Sequence, residues 1–241
     1  MTALSVDKCQ KATGKVFCRD IEKAGSGFFI DDEGLFLTNN HVVSKEAVDD
    51  TGAIRIDYSR RIQVKMGTKM YDASLVINEN SDKPVVYDYA VLRIDGAPTN
   101  HICVADVSQV AQGEPVLAIG YPSNFDVSIV TSGVISAIIS RPSPRNALHT
   151  MRTFLTDTLA TYGSSGGPLV RSSDGEVVGI VTMPHEIRST IRDRLKKHLE
   201  SSSANVTPPI RDLINFVITY LQEGFIYAIS IEHVMNDDVF K

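Results

Sequence analysis

The sequence predicts an all-β protein, a barrel or sandwich of many short strands, broken by a helical insert near the C-terminus. Three observations carry this. Strand-like apolar runs recur at close spacing over most of the chain. Turn-forming clusters separate them, such as Asp32-Glu33-Gly34, Asp49-Asp50-Thr51-Gly52 and Asp174-Gly175-Glu176. Residues 187–223 alone change from a strand-like to a helical period.

The runs expected as strands are, in order, Gly27–Ile30, Leu35–Thr38, Ile54–Tyr58, Ile62–Met66, Tyr71–Asn78 and Ala90–Ile94. They continue with Val116–Ile119, Ser128–Ile139, Thr153–Thr158, Pro168–Val170 and Val177–Thr182. Ile187–Glu200 reads IRSTIRDRLKKHLE, which suits a helix, and Ser201–Pro209 is a polar, proline-ended linker. In Ile210–Glu223 the residues Ile210, Leu213, Ile214, Val217 and Leu221 fall on one helical stripe. Phe216, Ile218 and Tyr220 lie largely off that stripe, and packing of both faces on the β-structure accounts for the pattern. A hairpin that docks a partner or gates a cleft is the sharper alternative. The basic residues Arg188, Arg192, Arg194, Lys196 and Lys197 read as a solvated helix face.

With 241 residues, 43% of them hydrophobic, the chain is long enough for one or two packed units. Sixteen glycines and ten prolines are ordinary and argue against a collagen-like or disordered chain. The net charge of −5 leaves no broad basic field, so a nucleic-acid partner is not expected. Three widely spaced cysteines, Cys9, Cys18 and Cys103, do not make a disulfide framework or a metal cluster. Residues Met1 to Lys23 contain no apolar core of signal-peptide length, and no run reaches the length of a membrane span. These features lead to the expectation of a protein kept in a reducing cytoplasm, with no membrane and no metal or other cofactor.

Chemistry concentrates in three places. Gly163-Ser164-Ser165-Gly166-Gly167-Pro168 surrounds a serine with glycines that permit a sharp turn. Such a turn lets the Gly163 and Ser165 amides point at one spot, where a tetrahedral oxyanion would form. His41 follows the apolar run Leu35-Phe36-Leu37 and Asp88 opens the run Ala90–Ile94. A lone histidine at a strand end is usually structural, and an aspartate opening a strand is usually a solvated turn residue. The chain order His, Asp, Ser, each with its own flanks, is that of one triad arrangement and differs from the order in other triad folds.

These segments resemble the trypsin-like serine peptidases of the HtrA (high-temperature-requirement) type. The matching stretches are GSGFFIDDEGLFLTNNHVV, DYAVLRID, GEPVLAIGYPSN, VTSGVIS, TDTLATYGSSGGPLV, DGEVVGIVT and FIYAISIEHV. They run from Gly25 to Val234, with Pro184 to Gly224 unmatched. The resemblance implies two six-stranded antiparallel β-barrels, trypsin/chymotrypsin-like. The first, residues 1–100, would carry His41 and Asp88. The second, residues 101–241, would carry Ser165 and the insert 187–223, with the join near Thr99–Val104 and the cleft between the barrels.

Carried over residue by residue, the resemblance makes His41 the general base, Asp88 its orienting carboxylate and Ser165 the nucleophile. Gly163 and Ser165 amides form the oxyanion hole. The substrate is then a polypeptide. Leu159, six residues before the serine, falls where the superfamily places the base of the primary specificity pocket. Thr182, Met183, Pro184, Phe225, Ile226 and Tyr227 would wall it. An uncharged base with bulky neighbours favours small or medium aliphatic side chains over Arg or Lys. Asp157 reads as a loop or pocket-wall residue, and His101, His149, His185, His198 and His233 lie outside family-like flanks.

Three departures qualify the resemblance. No Ile-Val-Gly-Gly-like segment precedes the barrels, and Ser164 replaces the aspartate that an activating N-terminal ammonium would pair with. The residue after His41 is Val42, where secreted digestive relatives place a cysteine. The sequence stops at Lys241, so a PDZ domain is not expected after the protease domain. Control of activity would fall to loops, to the insert, or to a regulatory protein partner acting on residues 187–223. The rival reading is a catalytically silent binding or signalling module on the same fold.

Overall fold

The two phenylalanine pairs of the N-terminal half show how side-chain alternation builds the molecule. Successive strand residues point to opposite faces. Phe28 pairs with Leu37 across neighbouring strands, and Phe29 pairs with Phe36. Phe29 and Phe36 point into one hydrophobic cluster, with ring centroids 4.9 Å apart in an edge-to-face contact. Phe28 and Leu37 point the other way, into a second cluster shared with the C-terminal half. All four are fully buried. A strand with both faces covered belongs to a closed sheet packed against a neighbour.

The computed structural model describes residues 3–48, 54–76, 81–96, 100–123, 125–143, 145–182 and 226–237. An N-terminal helix α1 (Ala3–Ala12) leads into β1 (Thr13–Cys18), β2 (Lys23–Phe29) and β3 (Leu35–Thr38). A short helix α2 (Asn40–Val43) follows, then a two-stranded ribbon of β4 (Ser44–Val48) and β5 (Ile54–Tyr58). Then come β6 (Ile62–Met66), β7 (Lys69–Val76), the helical turn α3 (Lys83–Val86) and β8 (Ala90–Arg93). The strands β1-β2-β3-β8-β7-β6 close into a six-stranded antiparallel barrel.

The second half adds β9 (Pro115–Gly120), β10 (Ile129–Pro142), β11 (Thr150–Thr156), β12 (Pro168–Arg171), β13 (Val177–Thr182), β14 (Ile226–Ser230) and α4 (Glu232–Met235). Its strands close in the order β10-β11-β14-β13-β12-β9, again antiparallel. The long β10 serves two neighbours. Residues 129–134 pair with β9, and residues beyond Ile135 pair with β11. Closure removes the free sheet edges that would otherwise invite association. Two closed six-stranded barrels are the all-β architecture the sequence predicts.

Residues 100–105 bridge the barrels. The Ile102 amide donates to Phe29 O at 2.9 Å, and Ala105 donates to Val177 O at 3.0 Å. Among the described residues no helix is long and apolar enough to cross a membrane.

Among the described elements, α1, β1 and β4 carry no clear sequence signal. In β1, Lys15 interrupts what should be an apolar run, yet it is 6% exposed. Its ammonium donates to Phe125 O at 3.1 Å and lies 3.5 Å from Asp126 Oδ1, both from the second barrel. A buried charge persists only where it is paired, and here the pairing is tertiary. The helical insert 187–223 expected from the sequence, and the expected pocket-wall residues Met183, Pro184 and Phe225, lie outside the described residues.

Candidate active site

His41 sits on α2, a single turn directly after β3. Val42 and Val43 beside it are buried and anchor the turn, while the His41 ring stays partly exposed. The Ser44 hydroxyl closes the turn by donating to Asn40 O at 2.7 Å. Lys23 Nζ then ties the turn to β2, donating to His41 O at 2.7 Å and Ser44 O at 2.6 Å.

Asp88 lies between α3 and β8 with φ +54°, in the left-handed region. Aspartate tolerates that region better than most residues, because its short polar side chain can bond locally. Such a conformation still costs on the order of 1–3 kcal/mol and needs outside restraint. The restraint is visible. Asn39 Nδ2 donates to Asp88 O at 2.8 Å, and the His41 amide donates to Asp88 Oδ1 at 2.9 Å. His41 Nδ1 lies 2.8 Å from Asp88 Oδ2 and 3.1 Å from Oδ1. With Asp88 ionised, the proton belongs on Nδ1, which leaves Nε2 as the unprotonated, basic nitrogen. Thr182 at the end of β13 donates its hydroxyl to Asp88 Oδ2 at 3.1 Å. Burial alone would raise the Asp88 pKa. The charge and hydrogen bonds of His41, with the Thr182 hydroxyl, outweigh burial and hold the carboxyl below its ordinary range.

The Ser165 turn belongs to the second barrel but docks on the first. The Ser26 amide of β2 donates to Ser165 O at 2.8 Å. Gly166 follows at φ +90°. A Cβ there would lie 2.1 Å from Ser26 O and 2.4 Å from Thr38 Oγ1, so the backbone could not approach β2 and β3 this closely with any side chain present. Gly25 shows the same closeness from the other side. A Cβ on it would meet Val42 Cγ2 at 2.6 Å and Ser165 O at 2.9 Å. The nucleophile candidate and the helical turn of His41 therefore flank one glycine.

Gly163 has φ +99°. Its carbonyl accepts from the Ser26 hydroxyl at 2.7 Å, and that hydroxyl in turn accepts from the Tyr121 amide at 2.7 Å. Among the described residues neither the Gly163 nor the Ser165 amide donates to a protein acceptor. Two amides on one glycine-bearing turn, neither bonded to a described protein acceptor, are suited to receive an oxyanion.

The structure joins His41 directly to Asp88, and it sets the Ser165 backbone across Gly25 from Val42, the residue after His41. Leu159 lies on the segment that leads from β11 to Ser165. Its carbonyl accepts from the Thr131 hydroxyl at 2.7 Å, and its side chain is 63% exposed. Asp157 Oδ1 accepts from the Val134 amide at 2.7 Å, which makes it a brace of β10. Thr182, expected in the pocket wall, spends its hydroxyl on Asp88.

Three supporting residues were not legible in the sequence. Ser26 stood inside the quoted GSG motif, where its hydroxyl was the available signal. Asn39 stood two residues before the histidine. Lys23 carried no signal at all.

Residues 25–180 match the trypsin-like peptidase domain family. The chain belongs to this family. Among curated relatives of this trypsin-like chain, a probable periplasmic serine endoprotease DegP-like of Pseudomonas putida is 37% identical over 163 residues. That alignment spans 67% of this chain and 29% of the relative. Serine protease HTRA1B of Danio rerio is 34% identical over 172 residues, 70% of this chain and 32% of the relative. The chain thus spans under a third of the length of these relatives.

Among solved structures, the HtrA-type protease AlgW with tripeptide aligns with a TM-score of 0.65 at 24% identity, covering 95% of this chain and 60% of that one. The Rv3671c protease from M. tuberculosis, active form, aligns with a TM-score of 0.63 at 19% identity, covering 95% and 80%. At such identities the likeness is one of fold, the trypsin-like double barrel.

The comparison overturns the expectation of a cytoplasmic protein. The matched bacterial relatives are named periplasmic. The cysteines misled for a physical reason. Cys9 and Cys18 are buried, Cys103 is exposed, and all three are free. A small, odd number of free thiols does not by itself fix the redox surroundings.

Proposed function

We propose that this chain is a serine endopeptidase of the HtrA/DegP-like kind. In this reading Ser165 attacks the scissile carbonyl while His41 Nε2 takes its proton. Asp88 holds the imidazole in the Nδ1–H tautomer and stabilises the imidazolium. The Gly163 and Ser165 amides receive the oxyanion, and His41 returns its proton to the leaving amine. Residues 1–100 supply the base and its orienting carboxylate, and residues 101–241 supply the nucleophile.

One observation carries the proposal. The His41 ring is clamped by Asp88 at 2.8 Å on a turn that shares Gly25 with the Ser165 backbone. The test is Ser165→Ala, with the parent labelled in parallel by a fluorophosphonate. The variant should fold, lose the label, and lose turnover on the order of 10⁶-fold. Substantial cleavage by the alanine variant would defeat the assignment.

The pocket reading favours cleavage after small or medium aliphatic residues. Leu159 offers no charge to a buried cation, and an unpaired buried charge is costly. A peptide-library profile dominated by Arg or Lys would overturn it. Residues 187–223 connect Thr182 of β13 to Ile226 of β14, so a partner acting on them would reach the pocket from both ends. Replacing them with a short Gly/Ser loop should change hydrolysis or partner binding.

A further inference from the structure

Asp88 is strained, and the residue after it is held in an unexpected way. Tyr89 is fully buried, and its hydroxyl donates a hydrogen bond to Asp237 Oδ2, just beyond α4 of the second barrel. Asp237 is 1% exposed. A carboxylate so deeply buried is costly unless donors surround it. Two donors come from the segment that carries Asp88. Besides Tyr89, Ser81 Oγ lies 3.5 Å from the same oxygen, and Lys83 Nζ donates to the neighbouring Asn236 O at 2.8 Å. Burial, then the hydrogen bond and charge of Asp237, push the Tyr89 phenol up, so it remains a donor.

The rest of the segment is gripped from the same side. The Ser143 hydroxyl donates to Val86 O at 2.6 Å, and the Tyr87 ring stacks on His233 of α4 at 4.3 Å. The Tyr89 amide donates to Pro84 O at 3.0 Å, which folds the segment back on itself immediately after Asp88. Asp88 therefore sits at a strained bend whose following residue is locked to the opposite barrel. Without that lock, relaxation of the bend would swing the carboxylate away from His41.

We infer that Asp237 is a positioning residue: by holding the Tyr89 hydroxyl it fixes the strained backbone of Asp88, and through it the orientation of His41. This rests on the triad reading above. It adds that the C-terminal helix of the Ser165 barrel sets the geometry of the His41–Asp88 pair in the other barrel.

The experiment uses Asp237→Asn and Tyr89→Phe in the full chain. Tyr89→Phe removes one oxygen and keeps the ring, so a measurement survives if Asp237→Asn does not fold. Active sites are titrated with a fluorophosphonate, so that turnover is expressed per folded site. Both variants should lose kcat by about 10- to 100-fold, as a misplacement of about 1 Å would cause, with KM within about twofold of the parent. The double variant should lose no more than the worse single one, because the pair acts as a unit.

A role confined to stability would lower the melting temperature and leave kcat per titrated site unchanged. That outcome overturns the inference. The His41 Nδ1 proton resonance gives a readout independent of cleavage. It should shift or broaden in both variants, and an unmoved resonance also overturns the inference. If the parent shows no Ser165-dependent turnover, the triad reading fails by itself, and the resonance still decides the role of Asp237.

Discussion

Thr182 reaches from the last residue of β13 in the second barrel to Asp88 in the first, its hydroxyl 3.1 Å from Oδ2. The contact joins the two barrels at the carboxylate that orients His41. It also makes one lone pair of Asp88 depend on the barrel that carries Ser165.

Thr182→Val tests that dependence. Valine keeps the shape and removes the donor. A hydrogen bond to a charged acceptor is worth about 1.5–3 kcal/mol. If that is felt in the transition state, kcat/KM should fall about tenfold or more. Steady-state kinetics on a peptide substrate reads this directly. Unchanged kcat/KM would mean that the His41 contacts alone fix Asp88.

Ser26 is the second bridge. Its fully buried hydroxyl donates to Gly163 O and accepts from the Tyr121 amide, both at 2.7 Å. Ser26→Ala leaves a buried carbonyl and a buried amide without that partner. The expected loss is about 1–3 kcal/mol of stability, measured by urea unfolding. Because Gly163 carries a proposed oxyanion donor, turnover per folded molecule should fall as well. A variant as stable and active as the parent would show that the turn does not need this bridge.

The lowered pKa of Asp88 has a defined consequence for acid unfolding. A carboxyl whose folded pKa lies below its unfolded value of about 3.9 binds fewer protons when folded. Stability therefore rises with pH across that window. The contribution is fully present above the unfolded pKa and is lost as pH falls through the folded one. Unfolding free energies measured across the acid range should fall less steeply for Asp88→Asn than for the parent. Parallel curves would remove Asp88 from the acid response.

The thiols should separate by access. Cys103 is exposed, while Cys9 and Cys18 are buried. Burial pushes the Cys18 thiol up to about 11 and raises Cys9 as well. An aromatic disulfide reagent at neutral pH should titrate one thiol in the native protein and three after denaturation. Three fast thiols in the native state would contradict the burial.

The strands were legible wherever their signal was local. Ile62–Met66 alternates buried and half-buried positions, and the structure returns a strand with those bounds. Ile54–Tyr58 was readable from its alternation, and Leu35–Thr38 and Val177–Thr182 from short continuous apolar runs, because such patterns and turn residues are properties of a few consecutive positions. The triad candidates were legible for a related reason. His41, Asp88 and Ser165 each stand in a short motif whose residue types are set by the backbone shape that the chemistry needs.

What the sequence could not announce is what holds those motifs in place. Lys15 looks like a solvated charge until Phe125 and Asp126 of the other barrel close over it. Asp237 looks like one of two acidic residues near a chain end until its carboxylate meets a phenol 148 positions earlier. Thr182 reads as a pocket-wall residue, and nothing in its neighbours announces that its hydroxyl donates to Asp88. In each case the deciding partner lies about a hundred or more residues away, and its identity leaves no periodic trace. By itself the sequence determined which backbone shapes form and where the reactive side chains stand. Only the tertiary structure decided which buried polar groups satisfy one another, because that pairing depends on the two barrels meeting.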